Sequence, residues 1–176
     1  MAIDEKDTLT GEDALTKIRE LLKQFPVAFM VTVHGPEIAA RPIGIVSDHG
    51  AFDGSLWFIT DRRSRKVQAI QSGATTALLF QNDREGAYLH LTGHASVVEN
   101  PQKLGELYTP IQRTWFPDGV EDPHITLLRF DATTASYWDG HASRLRLAVA
   151  FAKSLLTGAP GTSGHAGTAD ITRRTL

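Results

Sequence analysis

The chain has no cysteine. That absence excludes disulfides, thiolate metal sites and a cysteine nucleophile, so any redox role has to rest on a bound cofactor. No apolar run approaches the ~18 residues that a membrane-spanning helix needs. The start, MAIDEKDTLTGED, is acidic and polar, the opposite of a secretory leader. A soluble, cytoplasmic protein without a membrane partner is expected. Neither sign of charge dominates: 18 Lys and Arg stand against 20 Asp and Glu, a net charge of -2. This removes any global attraction to nucleic acid, which is not expected as a partner. Several signatures are also missing. No G-x-G-x-x-G follows a strand, and there is no H-E-x-x-H, EF-hand loop or G-x-S-x-G. Their absence sets aside a Rossmann fold, the corresponding metal sites and a serine hydrolase.

What remains is 176 residues with 41% hydrophobic content, enough for one domain with its own core and too apolar for a disordered chain. Residues 1–10 read as a polar lead-in ending on Thr10, a helix N-cap with Asp13 three residues on. Leu15, Ile18, Leu21, Leu22 and Phe25 then recur at helical spacing, predicting a helix over 11–24 that Pro26 ends. Strands follow over 27–33, 38–47, 55–60, 75–81, 88–99 and 125–138, separated by turns such as His34-Gly35-Pro36 and Asp48-His49-Gly50. Between them lie a short helix stopped by Gly73, a second begun by Asn100-Pro101, and a loop over 110–123. Residues 142–156 are apolar enough for a C-terminal helix. The Gly, Ala, Thr, Ser and Pro content of 157–176 predicts a loose tail. One domain over 11–156 results, mainly β with flanking helices. The short connections leave no room for the helices of a parallel α/β sheet, so a small antiparallel barrel is expected.

The segment Leu56 to Lys66, LWFITDRRSRK, carries the clearest chemical signal. Arg62, Arg63, Arg65 and Lys66 surround the hydroxyl of Ser64 where a strand hands over to a helix. Helix N-terminal amides, planar guanidinium donors and a compact ammonium are the parts of a phosphomonoester site. A charge run by itself is more often a solvated turn. A second segment strengthens the phosphate reading. Ile38-Ala39-Ala40-Arg41-Pro42-Ile43-Gly44 places an Arg, a Pro and a Gly inside an apolar strand. Pro marks an edge or bulge, Gly admits a close neighbour, and a buried Arg needs an anion.

With these residues the chain resembles the pyridoxamine 5′-phosphate oxidase-like, FMN-binding split-barrel proteins, and among them the bacterial general stress protein group. The likeness covers roughly residues 13–139. It rests on Ala40-Arg41-Pro42-Ile43-Gly44, Leu56-Trp57-Phe58-Ile59-Thr60 with Ser64-Arg65-Lys66, Leu91-Thr92-Gly93-His94-Ala95, Trp115-Phe116-Pro117-Asp118-Gly119 with Asp122-Pro123, and Tyr137-Trp138-Asp139, in that order. The resemblance implies a split β-barrel homodimer with FMN at the interface. It implies that Arg41, Pro42, Ile43 and Gly44 lie along the flavin, that Ile59 and Thr60 run beside its ring, and that Ser64, Arg65 and Lys66 grip its phosphate. Trp115 and Trp138, both in family motifs, are the aromatic candidates for contact with the flavin. The implied activity is FMN-dependent oxidoreduction of a small molecule, or with a small reductant, in a stress response. The alternative is a non-catalytic stress protein that binds a flavin or deazaflavin. No catalytic side chain is assigned, because hydride transfer to flavin N5 requires no protein acid or base. The oxidase itself has a second Lys where Val46 stands, a Gln with no counterpart near Tyr88 to His90, and a C-terminal Arg-His signature absent here; these departures point away from vitamin oxidation.

For each of Trp115, Phe116, Tyr137 and Trp138, core or dimer packing is the commoner role, with Trp115 and Trp138 the better candidates for flavin contact. Asp118, Glu121, Asp122 and His124 read as a surface turn, and no metal site is assigned. His90 and His94 share one strand face by the period of two.

Overall fold

The computed structural model describes residues 8–139 and 165–172. The first helix, α1 (Gly11–Leu22), begins after Thr10 as the spacing predicts, but the Thr10 hydroxyl makes no capping bond. Ala14, Ile18, Leu21 and Leu22 bury one face of it. The helix ends ahead of Pro26, with the amides of Gln24 and Phe25 bonded back to Leu21 and Leu22.

The strands are β1 (Thr8–Thr10), β2 (Val27–His34), β3 (Glu37–Gly44), β4 (Ser55–Asp61), β5 (Thr75–Asn82), β6 (Ala87–Val98), β7 (Ile125–Asp139) and β8 (His165–Asp170). They form one sheet in the order β1-β8-β7-β6-β5-β2-β3, with β4 also paired to β7. The β2–β3 hairpin turns at Gly35, whose φ of 57° is open to glycine at no steric cost. β3 is an edge of the sheet, which is where Pro42, lacking an amide proton, is tolerated.

The 15-residue β7 makes the barrel split. One of its edges pairs with β6 along nearly the whole length, while the other is shared. Residues 125–131 pair with β4 and residues 134–139 with β8. Between the two, Thr133 bulges out of the β6–β7 register, which jumps from Thr92↔Thr134 to Gly93↔Ala132. A bulge bends a strand and increases its twist, so β7 turns at the point where it changes partner. Gly93 is required there, because a Cβ would stand 2.2 Å from the Asp131 carbonyl oxygen. At the other end the Val46 amide donates to the Trp57 carbonyl at 3.0 Å, which brings the chain after β3 back to β4.

Inside lie Phe25, Phe52, Phe58, Phe130, Met30, Leu56, Leu78, Leu89 and Leu91, all essentially inaccessible. Truncating one such Phe to Ala costs about 3–5 kcal/mol. A smaller cluster of Leu104, Phe116, Ile125 and Leu127 sits under helix α3 (Pro101–Leu107). Asn100 caps that helix, its Oδ1 accepting from the Lys103 amide at 2.9 Å, as the Asn-Pro pair predicts. The 110–123 loop is tightened by 3-10 turns at Pro110–Thr114 and Gly119–Glu121.

Three features depart from the sequence expectation. Thr8–Thr10, in the expected lead-in, form β1, and His165–Asp170, in the expected loose tail, form β8. Their pairing is parallel, an exception to the antiparallel scheme. The two strands come from opposite ends of the chain, so no tight turn forces them to run antiparallel. Small residues make β8 possible: the Tyr137 ring fills the space where a Cβ on Gly167 would lie. The helix predicted over 142–156 lies outside the described residues.

Candidate functional site

The basic segment divides once it is folded. Arg62 donates to the Ile125 carbonyl at 3.0 Å and reaches Glu99 at 3.4 Å, tying the turn to β7 and to the residue that follows β6. Arg63 grips Asp61 with two nitrogens, at 2.7 and 3.1 Å. That contact pulls the Asp61 carboxyl down to about 2 and raises the Arg63 guanidinium. Both cations are therefore occupied with structure. Arg65 and Lys66 are placed differently: they open helix α2 (Arg65–Gln71), and among the described residues no carboxylate forms an ion pair with either.

Arg41 is brought to them from β3. Its guanidinium donates to the hydroxyl of Thr32 at 2.8 Å and more weakly to the Met30 carbonyl at 3.4 Å. Thr32 is 3% exposed and stands on β2 opposite Ala39. Burial lowers the Arg41 pKa, with Glu37 opposing the shift. Burial, followed by the positive charge of Arg41, lowers that of Lys66, with Asp61 opposing. Two cations held close together and partly dehydrated are unfavourable alone and become favourable with an anion between them. Beside them the Ser64 Oγ is buried without a hydrogen-bond partner.

A cleft of about 330 Å³ adjoins this cluster, lined by Arg41 and Thr32 from the hairpin and by Arg65 and Gln68 from α2. A second cavity, of about 420 Å³, lies on the outer face of the sheet among Phe29, Leu79, Tyr88, His90 and Trp138. The exposed Phe29, Leu79 and Val27 continue this apolar face.

The remaining predicted positions fall into three groups. Pro42 and Gly44 are exposed on β3, and the space around Gly44 is open enough that an added Cβ would touch nothing within 4 Å. Ile43 and Thr60 turn inward and are buried, while the Ile59 side chain packs toward the small cluster under α3. Any ligand contact of those three is left largely to the backbone. Trp115 is 67% exposed on the 110–123 loop, whereas Trp138 lines the apolar cavity. Phe116 and Tyr137 are packing residues: Phe116 fills the small cluster, and Tyr137 is buried with the Lys17 ammonium 5.6 Å from its ring centre. His90 lines the apolar cavity and His94 is exposed. Among the described residues no three metal-ligating side chains come together, and no helix is long and apolar enough to cross a membrane.

Thr32, Glu37, Gln68 and Ser72 also line the cationic cleft, and sequence reasoning missed them. A usable signal existed for two: Arg65, Gln68, Ala69 and Ser72 follow the i, i+3, i+4, i+7 spacing of one helix face. Thr32 sat unmarked in an apolar strand, and its role depends on Arg41 facing it across the hairpin.

The chain is similar to known proteins in sequence and in fold. The family model "Pyridoxamine 5′-phosphate oxidase like" matches residues 13–160. A curated relative, Protein bli-3 of Neurospora crassa, is 27% identical over 124 residues, covering 66% of this chain and 58% of that protein. Among solved structures, a Jannaschia sp. protein described as a general stress protein 26 superposes with a TM-score of 0.72 at 21% identity, covering 90% of this chain and 99% of its own. The general stress FMN/FAD binding protein of Xanthomonas citri gives 0.63 at 21% identity, covering 73% and 90%. A Clostridium acetobutylicum protein related to general stress protein 26, of the pyridoxinephosphate oxidase family, gives 0.63 at 22%, covering 73% and 89%. At these identities the structural likeness speaks for the fold, a mainly β split barrel. The family model spans most of the chain, including every motif from Arg41 to Trp138, and on that ground the chain belongs to the pyridoxamine 5′-phosphate oxidase-like family.

Proposed function

We propose that the protein binds FMN as a homodimer and is an FMN-dependent oxidoreductase acting on a small molecule. The observation that carries this reading is that Arg41 shares one cleft with Arg65 and lies in the field of Lys66, none of the three ion-paired among the described residues, while the hydroxyl of Ser64, next to Arg65 in the chain, is buried without a partner. A phosphate monoester supplies what this group lacks: negative charge for the cations and an acceptor for the orphaned hydroxyl. Thr32 holds Arg41 in place for it. The ring of the flavin extends from there along Pro42 to Gly44 and the backbone of Ile59 and Thr60.

A dimer follows from the division of the site. The cationic cleft has no aromatic wall, and the cavity holding Phe29, Tyr88 and Trp138 has no cation. Twofold symmetry apposes identical faces. It covers the exposed Phe29 and Leu79 and brings the apolar cavity of one protomer toward the flavin held by the other. Bound flavin supplies the two-electron redox chemistry; the chain's residues bind the phosphate, orient the ring and shield it from water.

Native purification followed by mass spectrometry of released cofactor tests the reading. FMN is expected in the released fraction. Recovery of no flavin, together with no binding of added FMN, overturns it. Bleaching of the bound flavin by a reduced nicotinamide supports turnover, and a flavin that no donor reduces instead supports a binding protein without catalysis.

A further inference from the structure

The apolar cavity of about 420 Å³ on the outer face of the sheet is lined by no Lys, Arg, Asp or Glu. A ligand that fits it is uncharged, because a charge buried there would have no partner. The rings of Phe29, Tyr88 and Trp138 favour a planar one. The polar groups of the lining are not equivalent. The Gln81 amide donates to Asp83 at 2.7 Å, and the Tyr88 hydroxyl donates to the same carboxylate at 3.4 Å. Both are thereby drawn toward the turn between β5 and β6. The His90 imidazole and the Trp138 indole N–H have no hydrogen-bond partner among the described residues. Tyr88 stands opposite Trp138 in the β6–β7 register, and His90 stands opposite Ser136. His90 and Trp138 are therefore diagonal neighbours, about 7–8 Å apart. Two unsatisfied donors lining one apolar cavity call for a ligand with two separated acceptors.

We propose that the cavity takes an uncharged planar quinone as substrate, with His90 as the proton donor in its reduction. The proposal rests on the flavin reading above, in which twofold symmetry lays this cavity against the flavin of the other protomer. A planar ligand in the cavity then lies face to face with the flavin ring. One quinone oxygen accepts from His90 and the other from Trp138. Indole can only hold its oxygen, whereas an imidazole can give up a proton at neutral pH. Hydride from the reduced flavin, which a reduced nicotinamide regenerates, adds to the oxygen beside Trp138. The electron pair moves through the ring to the opposite oxygen, which takes the proton of His90. The quinone leaves as the hydroquinone, the flavin is left oxidised, and the imidazole recovers its proton from water. A phosphorylated substrate finds no cation in this cavity to meet it.

Titration calorimetry of the FMN-loaded, oxidised protein with 1,4-naphthoquinone tests the seat, with pyridoxal 5′-phosphate as the charged comparison. The quinone is expected to bind at least tenfold more tightly. His90→Leu is expected to weaken it about fivefold, the worth of one hydrogen bond. His90→Gln keeps a donor and is expected to hold the quinone within about twofold of the wild type. Its reduction rate at saturating quinone should nonetheless fall about a hundredfold, the loss of a general acid. Added imidazole should restore part of the rate to His90→Ala, which a purely structural role of His90 does not allow. A protein that binds FMN but takes no quinone, or takes the phosphorylated comparison equally well, overturns the seat. A rate in His90→Gln that matches the wild type, or that falls only in step with binding, overturns the proton transfer. Failure of the wild type to bind FMN overturns the flavin reading and this step with it.

Discussion

One edge strand serves two cavities of opposite character. On one face of β3, Ala39 and Arg41 line the cationic cleft; on the other, Ala40 lines the apolar cavity with Phe29, Leu79 and Trp138. Strand alternation allows this, since successive side chains point to opposite faces. The two cavities are separated by little more than a backbone, yet one has Arg41, Arg65 and Thr32 where the other has aromatic rings. Each is half of what a phosphorylated planar ligand needs. On the flavin reading proposed above, the cleft is to meet the phosphate and not the ring, and the cavity offers apolar area without charge. Mutations in the cleft should therefore separate FMN from riboflavin, and mutations on the apolar face should not.

The sharpest break of this contrast is the double variant Arg65→Ala/Lys66→Ala. Losing two charge-assisted contacts costs about 3 kcal/mol or more, roughly a hundredfold in FMN affinity. Riboflavin, which has no phosphate, should be unaffected in the same titration. Equal losses for both ligands would sink the phosphate assignment. Phe29→Asp places a charge on the apolar face. If the wild type is the proposed dimer, sedimentation should show monomers of the variant at the same concentration, and FMN and riboflavin should weaken together by about tenfold. A dimer that survives with unchanged affinity removes that face from the site.

Thr32→Val keeps the shape of the buried side chain and deletes the acceptor for Arg41. FMN should weaken about fivefold, the worth of one hydrogen bond, riboflavin should not change, and Thr32→Ser should restore FMN. Lys66 gives a pH signature of smaller size. Its lowered pKa means that it discharges below the usual lysine value of 10.5 in the free protein, and a bound phosphate favours the charged form. FMN affinity should thus fall as pH rises through this lowered value, with proton uptake on binding, and Lys66→Arg should abolish the fall. The least effect belongs to the tied part of the turn. With Asp61 depressed from 3.8 to about 2, its pairing with Arg63 stabilises the fold fully above the ordinary carboxylate value, and that contribution is lost as pH falls toward 2. The pair is exposed, so the change in acid unfolding between wild type and Asp61→Asn should be slight.

Much of the fold was legible in the chain. The edge position of β3 could be read from Pro42, the cap of α3 from Asn100-Pro101, and the end of α1 from Pro26, because each rests on local backbone chemistry. The pairing of β8 with β1 and β7 could not be read, since its small residues mark no pattern of their own and acquire a place only against Tyr137 and Thr8. The basic turn shows the same limit at the site. Four cations in five residues made an anion site a candidate, but nothing in their order said that Arg62 and Arg63 would be bound to Ile125 and Asp61 while Arg65 lined the cleft.

The sequence by itself determined a thiol-free, near-neutral, mainly β chain with a concentrated cationic turn, because composition, periodicity and turn chemistry act over a few neighbouring residues. The tertiary structure alone decided that Arg41, 24 positions before Arg65, lines the same cleft, that Thr32 orients it, and that the Ser64 hydroxyl is left without a partner. Those outcomes depend on strand register and helix docking, which are set by burial across the whole barrel rather than by any local segment.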